Sequence, residues 1–251
     1  MRADQDKSLF NTIAAEYARK DLHAAASIAR RARLIQSLSG LHLGADARIL
    51  EIGSGAGFAA QYLEGNYQHY TGLDYADELI SYAEHYNAGP QRSFLCADAF
   101  THEATQPYDM IFAIGVLHHI EHYEDLLRHL TRQLVPGGYL MVNEPHPLNP
   151  VISGMRQWRK RNDDAYSADQ EELAPELISR AFASAGLTEI DSFAQGFAAT
   201  PFAEVPLNPT WLTTPLAQLS AGIDGLLSRI LPRRLALRLS WNVVVTGRRG
   251  H

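Results

Sequence analysis

The chain has 251 residues, 46% hydrophobic and 20% charged, enough for one domain with a sizeable core and a small accessory lobe. Its net charge of −6 gives the whole molecule no electrostatic reason to seek nucleic acid or anionic membranes. One cysteine, Cys96, excludes an intrachain disulfide; no apolar run approaches the roughly 18 residues of a membrane span, and the first residues lack the apolar core of a signal peptide, so a soluble, cytoplasmic protein is expected.

Residues 8–20 carry Phe10, Ile13, Ala14 and Tyr17 at i, i+3, i+4, i+7 behind Ser8, a residue suited to an N-cap, and so predict a helix. A second helix is expected over 22–39, with Arg30, Arg31 and Arg33 on it. Gly40 and Gly44 bracket a turn before an apolar strand at 47–52. That strand stops at Gly53, Gly55 and Gly57 follow, and helical sequence resumes at Phe58. Glycines allow positive φ and close approach of a ligand to the backbone, and the free N–H groups of a helix start favour an anionic group. The turn alone keeps several readings open. It serves packing in many proteins, and Gly55, Gly57 and Ala60 also fit the G-x-G-x-x-A dinucleotide fingerprint.

From there strand and helix alternate. The spacing predicts helix 58–64, strand 68–73 ending at Asp74, helix 76–86, strand 93–97 ending at Asp98, and strand 109–114 ending at Gly115. Helix 123–134 stops before a Pro136-Gly137-Gly138 turn that leads into strand 139–143. Such alternation means a parallel sheet with helices on both faces, and ligands in such sheets sit outside the carboxyl ends of the strands. The polar residues there are Glu51, Asp74, Asp98, His118, His119, Asn143 and Glu144. Residues 145–170, with Pro145, Pro147, Pro150 and a charged R-K-R-N-D-D stretch, read as a long connection. A helix at 175–185 opens with Pro175 and closes at Gly186, and strands follow at 188–194 and 241–246. Between those strands Leu212, Leu216, Leu219, Ile223, Leu226 and Ile230 form a helical apolar stripe, with Arg229, Arg233, Arg234 and Arg238 at its far end. The stripe suits packing on the sheet or on a dimer partner, and equally a cap over an apolar acceptor or a face that meets lipid. Cys96, inside the third strand, reads as a small core residue.

Taken together, Glu51-x-Gly53-x-Gly55-x-Gly57, Asp74 in G-L-D-Y, Asp98 in C-A-D-A, the Y-D-M-I-F-A strand and L-V-P-G-G-Y-L-M-V resemble a class I S-adenosylmethionine-dependent methyltransferase over about residues 45–145. The resemblance implies an α/β Rossmann-like fold: a mostly parallel seven-stranded sheet with helices on both faces. An added cap would come from the N-terminal helices and the inserts after strands five and six. One domain would span 1–251, with a helical cap at 1–44, a cofactor-binding core at 45–144 and acceptor-side inserts at 145–174 and 196–240.

It also implies S-adenosyl-L-methionine as cofactor. The turn of Gly53, Gly55 and Gly57 with Glu51 would lie against the methionine part, Asp74 would accept from the ribose hydroxyls, and Asp98 from the adenine amino group. The Ala99 N–H would meet a ring nitrogen, Tyr75 would pack on the adenosine, Tyr17 would close over the methionine end, and Gly115 completes the set. A nicotinamide enzyme shares an acid after strand two, but lacks the acid at 98 and the terminal strand pair. His119, His118 and Glu144 are the candidates for proton removal from an acceptor. Residues 118–122 match the zinc pattern H-x-x-E-H, but they fall on a strand's exit loop, and no metal is expected. The expected activity is O- or N-methyl transfer to a small, partly apolar, conceivably lipid-like acceptor in biosynthetic small-molecule metabolism. The alternative is a cofactor-binding module that has lost transfer. A nucleic-acid acceptor is disfavoured by the net acidity and by the lack of an N-P-P-Y signature after Asp109. Either a monomer or a homodimer is expected.

Overall fold

The computed structural model describes residues 2–162 and 172–250. Seven strands form one sheet: β1 (Arg48–Ile52), β2 (His69–Asp74), β3 (Arg92–Cys96), β4 (Tyr108–Ile114), β5 (Leu134–Pro145), β6 (Leu187–Gln195) and β7 (Asn242–Arg249). Their order across the sheet is β3-β2-β1-β4-β5-β7-β6, with the first five parallel and β7 antiparallel to both β5 and β6. β1 lies at the centre of the parallel part and is buried from Ile49 to Ile52, with apolar side chains on both faces and Glu51 as the one buried carboxyl among them. Along β4 the side chains alternate: Ile111 and Ala113 join Leu50, Leu126, Leu130 and Phe182 on one face, while Met110 and Phe112 join Ile49, Tyr70 and Met141 on the other.

Helices α3 (Phe58–Tyr62), α4 (Asp77–Asn87), α5 (Tyr123–Arg132) and α7 (Pro175–Ser184) are the crossovers expected from the pattern. α5 turns Leu126, Leu127 and Leu130 inward, with Glu124 and Asp125 in its first turn and His129 and Arg132 in its last, matching the helix dipole at both ends. α1 (Arg2–Leu22) and α2 (Ala24–Ser37) precede the sheet, and α8 (Thr200–Glu204), α9 (Thr210–Ile230) and α10 (Arg233–Leu239) fill the segment between β6 and β7. α2 is the centre of the cap, packing against α1, α8 and α9. Among the described residues, no helix is long and apolar enough to cross a membrane.

Three expectations change. The 145–170 stretch is not a bare connection: α6 spans Pro150–Asn162, with Pro150 as the kind of proline that starts helices. Residues 163–171, including the end of the charged stretch, lie outside the described residues. Pro136-Gly137-Gly138 does not precede a strand but sits within β5 as a bulge; Gly137 has φ +80°, and a Cβ on Gly138 would lie 3.0–3.2 Å from three backbone oxygens. Cys96 is exposed, because β3 is the sheet's edge strand.

Candidate active site

The carboxyl ends of β1, β2, β4 and β5 share one rim, and the predicted residues gather there. Gly53, Gly55 and Gly57 all adopt left-handed backbone, with φ of +69°, +52° and +76°. A Cβ would stand 2.5 Å from Val116 Cγ2 at Gly53 and 2.5 Å from Phe94 Cε1 at Gly57, so both space and conformation demand glycine. At Gly55 the nearest atom would be Tyr17 Cε1, 3.3 Å away, so α1 lies directly over the turn. Asp74 fixes the turn from below. One carboxylate oxygen accepts the Gly55 N–H at 2.9 Å and the other the Ala76 N–H at 2.9 Å. Burial raises its pKa, opposed by these backbone donors. Each oxygen keeps a second lone pair, as binding a ribose diol requires.

Glu51 is buried and accepts a short hydrogen bond from the Tyr70 hydroxyl. Burial pushes its pKa well up, opposed by the hydrogen bond from Tyr70. Asp98 lies in the loop after β3, exposed, with Oδ1 accepting the Phe100 N–H at 2.9 Å. That contact shapes the loop bearing Ala99, whose side chain packs on the core. The donor set, the glycine turn and the buried carboxyls thus suit a zwitterionic nucleoside: S-adenosylmethionine fits.

A roof crosses this rim. Phe10 on α1 makes edge-on contacts with Tyr17, Tyr75 and His119, at ring separations of 6.3, 6.4 and 5.6 Å. Phe10 is the site residue that sequence reasoning passed over, although its shared helical face with Tyr17 was the available signal. The Arg30 guanidinium stands 5.0 Å from the Tyr17 ring centre, where it also binds Asp21 (2.6 Å) and the Ala203 carbonyl (3.0 Å). Arg33 pairs with Glu204 at 3.0 Å. Through these contacts the roof is tied to α2 and α8.

At the exit of β4, Gly115 is again left-handed (φ +68°) and donates to the Asn143 carbonyl at 2.8 Å. A short 3₁₀ turn, Leu117–His119, follows. Glu144 is 0% exposed, and its carboxylate organises this turn. Oε1 accepts the N–H groups of Val116 (2.9 Å) and Leu117 (2.8 Å), and Oε2 lies 2.7 Å from His118 Nδ1. Both Glu144 oxygens, placed by sequence among the candidates for proton removal, are thus engaged with the loop. An ionised carboxylate accepts from His118 Nδ1–H, so that a neutral His118 would carry its lone pair on Nε2. His119 lies beside His118, its ring tilted by 39° and the ring centres 4.2 Å apart. Asn143 is buried, donating to Ser37 Oγ (2.7 Å) and Gln195 Oε1 (3.2 Å). His146 is also buried; its Nδ1 accepts the Leu148 N–H at 3.1 Å, so its Nε2–H donates to Ser240 Oγ at 3.0 Å. Burial, aided by Arg156, lowers its pKa to about 4. Among the described residues, no group of three or more His, Cys, Asp or Glu side chains could hold a metal ion.

The apolar stripe of α9 points away from all of this. The helix packs on α2 through its opposite face, where Thr213, Ala217 and Asp224 are buried, and Asp224 accepts the N–H groups of Phe197 and Ala198. The stripe neither packs on the sheet nor lines the site.

Comparison with known proteins agrees with this fold. A 34%-identical relative over 113 residues is a trans-aconitate 2-methyltransferase of Methylobacterium nodulans, matched over 44% of this chain and 43% of its own. The chain spans about half the length of the curated relatives it matches. Among solved structures, a methyltransferase of Haloferax volcanii in complex with the Trm112 activator superposes with a TM-score of 0.65 at 20% identity, covering 98% of this chain and 97% of that one. The N-methyltransferase NodS of Bradyrhizobium japonicum, solved with S-adenosylhomocysteine, gives 0.54 at 17% identity, with 88% and 86% covered. A family model described as "Methyltransferase domain" matches residues 17–188, and the chain belongs to that family, the class I S-adenosylmethionine-dependent methyltransferases.

Proposed function

We propose that the chain transfers the methyl group of S-adenosylmethionine to oxygen or nitrogen of a small organic acceptor at the exit of β4. The single observation that carries the proposal is the Glu144–His118 pair, set beside the aromatic roof and one strand from the glycine turn. The bound cofactor supplies a methyl carbon activated by its sulfonium. The protein then has to align the partners, exclude water and, for a neutral hydroxyl or amine, take up one proton. In this reading Glu51 and Gly53 to Gly57 hold the methionine end, Asp74 the ribose, and Asp98 with the Ala99 N–H the adenine edge, while Tyr17, Tyr75 and Phe10 cover the cofactor. Residues 45–144 form the cofactor half, and 1–44, 145–174 and 196–240 the acceptor side. Glu144 is a positioning residue, holding His118 in the tautomer whose Nε2 is basic. This moves the proton acceptor from His119 to His118, with His119 lining the roof. Small-molecule biosynthesis in the cytoplasm is the setting this chemistry suits.

The name of the first relative supports a second reading, in which the acceptor is a carboxylate. A carboxylate arrives already ionised and needs no base. The outward-facing α9 stripe gives a strongly apolar or lipid-like acceptor no support from that helix.

The test is a cofactor titration and a transfer assay on matched variants. Asp74→Ala should weaken cofactor affinity at least about 30-fold, from the loss of two charge-assisted hydrogen bonds; unchanged affinity would sink the ribose assignment. His118→Asn should leave that affinity intact and lower turnover about 100-fold on a hydroxyl or amine acceptor. Turnover unaffected by His118→Asn would remove the base and select the carboxylate reading. Full cofactor affinity with no transfer to any acceptor class would instead favour a binding module.

A further inference from the structure

The outward stripe of α9 is the largest feature that the catalytic reading leaves unused. Trp211 is 76% exposed, Leu219 61%, Leu226 56% and Ile230 61%, with Leu212, Leu216 and Ile223 also open to solvent. Together these seven side chains present on the order of 700 Å². That exceeds the roughly 300–600 Å² of the largest apolar patch on an ordinary monomer, and it approaches the about 800 Å² each partner gives to a standard interface. From Thr210 to Ser228 the helix carries one charge, Asp224, and that side chain is buried on the other face. An uncharged apolar face is the composition of an interface core. It is not that of a helix lying on a lipid surface, which carries basic residues along its polar face; here no Lys or Arg lies between Thr210 and Ser228.

The spacing names the partner. Leu212, Leu216, Leu219, Ile223, Leu226 and Ile230 follow one another at intervals of 4, 3, 4, 3 and 4. This is the seam that packs against another helix of the same period. It reads the same in both directions, so a two-fold axis near residue 221 sets Leu212 opposite Ile230, Leu216 opposite Leu226 and Leu219 opposite Ile223 of a second copy. Gly222 flanks the seam at its centre, and a Cβ there would meet nothing within 4 Å. A glycine inside an exposed helix weakens it without any gain within the chain; close approach of a second backbone gives it a use. An antiparallel pair also keeps Arg229 and the exposed Arg234 and Arg238 of the two copies at opposite ends. We propose that this face of α9 is the two-fold interface of a homodimer, formed by antiparallel packing against α9 of a second copy of this chain.

The experiment is sedimentation equilibrium of the full chain from about 1 to 100 μM, beside Leu219→Glu and Leu226→Glu. The wild type should sediment at twice the 27.8 kDa of one chain, and both variants at 27.8 kDa with unchanged circular dichroism and cofactor affinity. Because the substituted positions are exposed, the variants are expected to fold. In a Cys96→Ser background, Gly222→Cys should cross-link to itself with a short bismaleimide. A wild type that stays monomeric at 100 μM overturns the proposal, as does a dimer indifferent to both glutamates. A monomer that co-sediments with anionic vesicles would overturn it in favour of a lipid surface.

Discussion

Two neighbouring turns on the rim of the sheet are held in opposite ways. The turn after β1 is shaped by what is missing: three glycines take left-handed backbone, and two of them leave room that Val116 and Phe94 fill. The turn after β4 is shaped by what is present, one wholly buried carboxylate that collects two backbone N–H groups and an imidazole. The first turn loses its form through any added side chain, whereas the second loses its chemistry through a change of a single atom. The two also meet, because Val116, held by Glu144, occupies the space that a Cβ on Gly53 would need.

Variants can break this contrast. The largest effect is expected from Gly57→Ala, which puts a Cβ against the Phe94 ring and forces a strained φ. A loss of about 3 kcal/mol in stability is expected, with cofactor affinity falling in parallel; chemical denaturation measures the first and calorimetry the second. An alanine tolerated within about 0.5 kcal/mol would mean that the turn is not constrained by its glycines. Glu144→Gln should cost far less stability, since an amide oxygen still accepts from Val116 and Leu117. Its NH₂ group, however, would face His118 Nδ1 and impose the other tautomer. Turnover on a hydroxyl or amine should fall about 100-fold at unchanged cofactor affinity, and Glu144→Asp should recover part of it. Equal losses in stability and turnover would reduce Glu144 to a structural role.

The smallest effect concerns His146, two residues beyond that carboxylate. Its folded pKa, about 4, lies below the ordinary value of 6.5, so the unfolded chain binds its proton first as pH falls. Stability from this group is therefore complete above about pH 6.5 and declines as the pH drops toward 4. His146→Gln cannot titrate, and the difference between its unfolding curves and those of the wild type should shrink across that window. A difference that stays constant from pH 7 to pH 4 would contradict the assignment.

The cofactor half was legible in the sequence because its determinants are local. An apolar run flanked by glycines can be only a few things, and Asp74 and Asp98 follow their strands at the distances such crossovers impose. What escaped the sequence depends on the assembled sheet. Cys96 is exposed because β3 has a neighbour on one side only, which no local pattern records. The α9 stripe was correctly seen as one face, but periodicity does not say which face turns inward. That was decided by small residues such as Ala217, which let α9 settle on α2. Pro150 follows two other prolines and so reads locally as a loop residue, yet it begins α6. Glu144 looked like chemistry at a strand end until its burial showed it holding the next turn in place.

The pairing of β6 with β7 has a further consequence. Gln195 and Asn242 are directly opposite each other in the antiparallel register, and Asn242 also faces Pro145 of β5. The whole stretch from 196 to 241 is thus the loop of a β-hairpin whose two feet are already clamped. Closing a longer loop on fixed feet costs only about 0.6 kcal/mol for each doubling of its length. The loop is nonetheless anchored beyond its feet, by Arg30 on the Ala203 carbonyl, by Arg33 on Glu204 and by Arg233 on Ser192 of β6. What the chain length of the cap leaves open, these bonds and the burial of Ala236 and Leu237 in the main core fix in place.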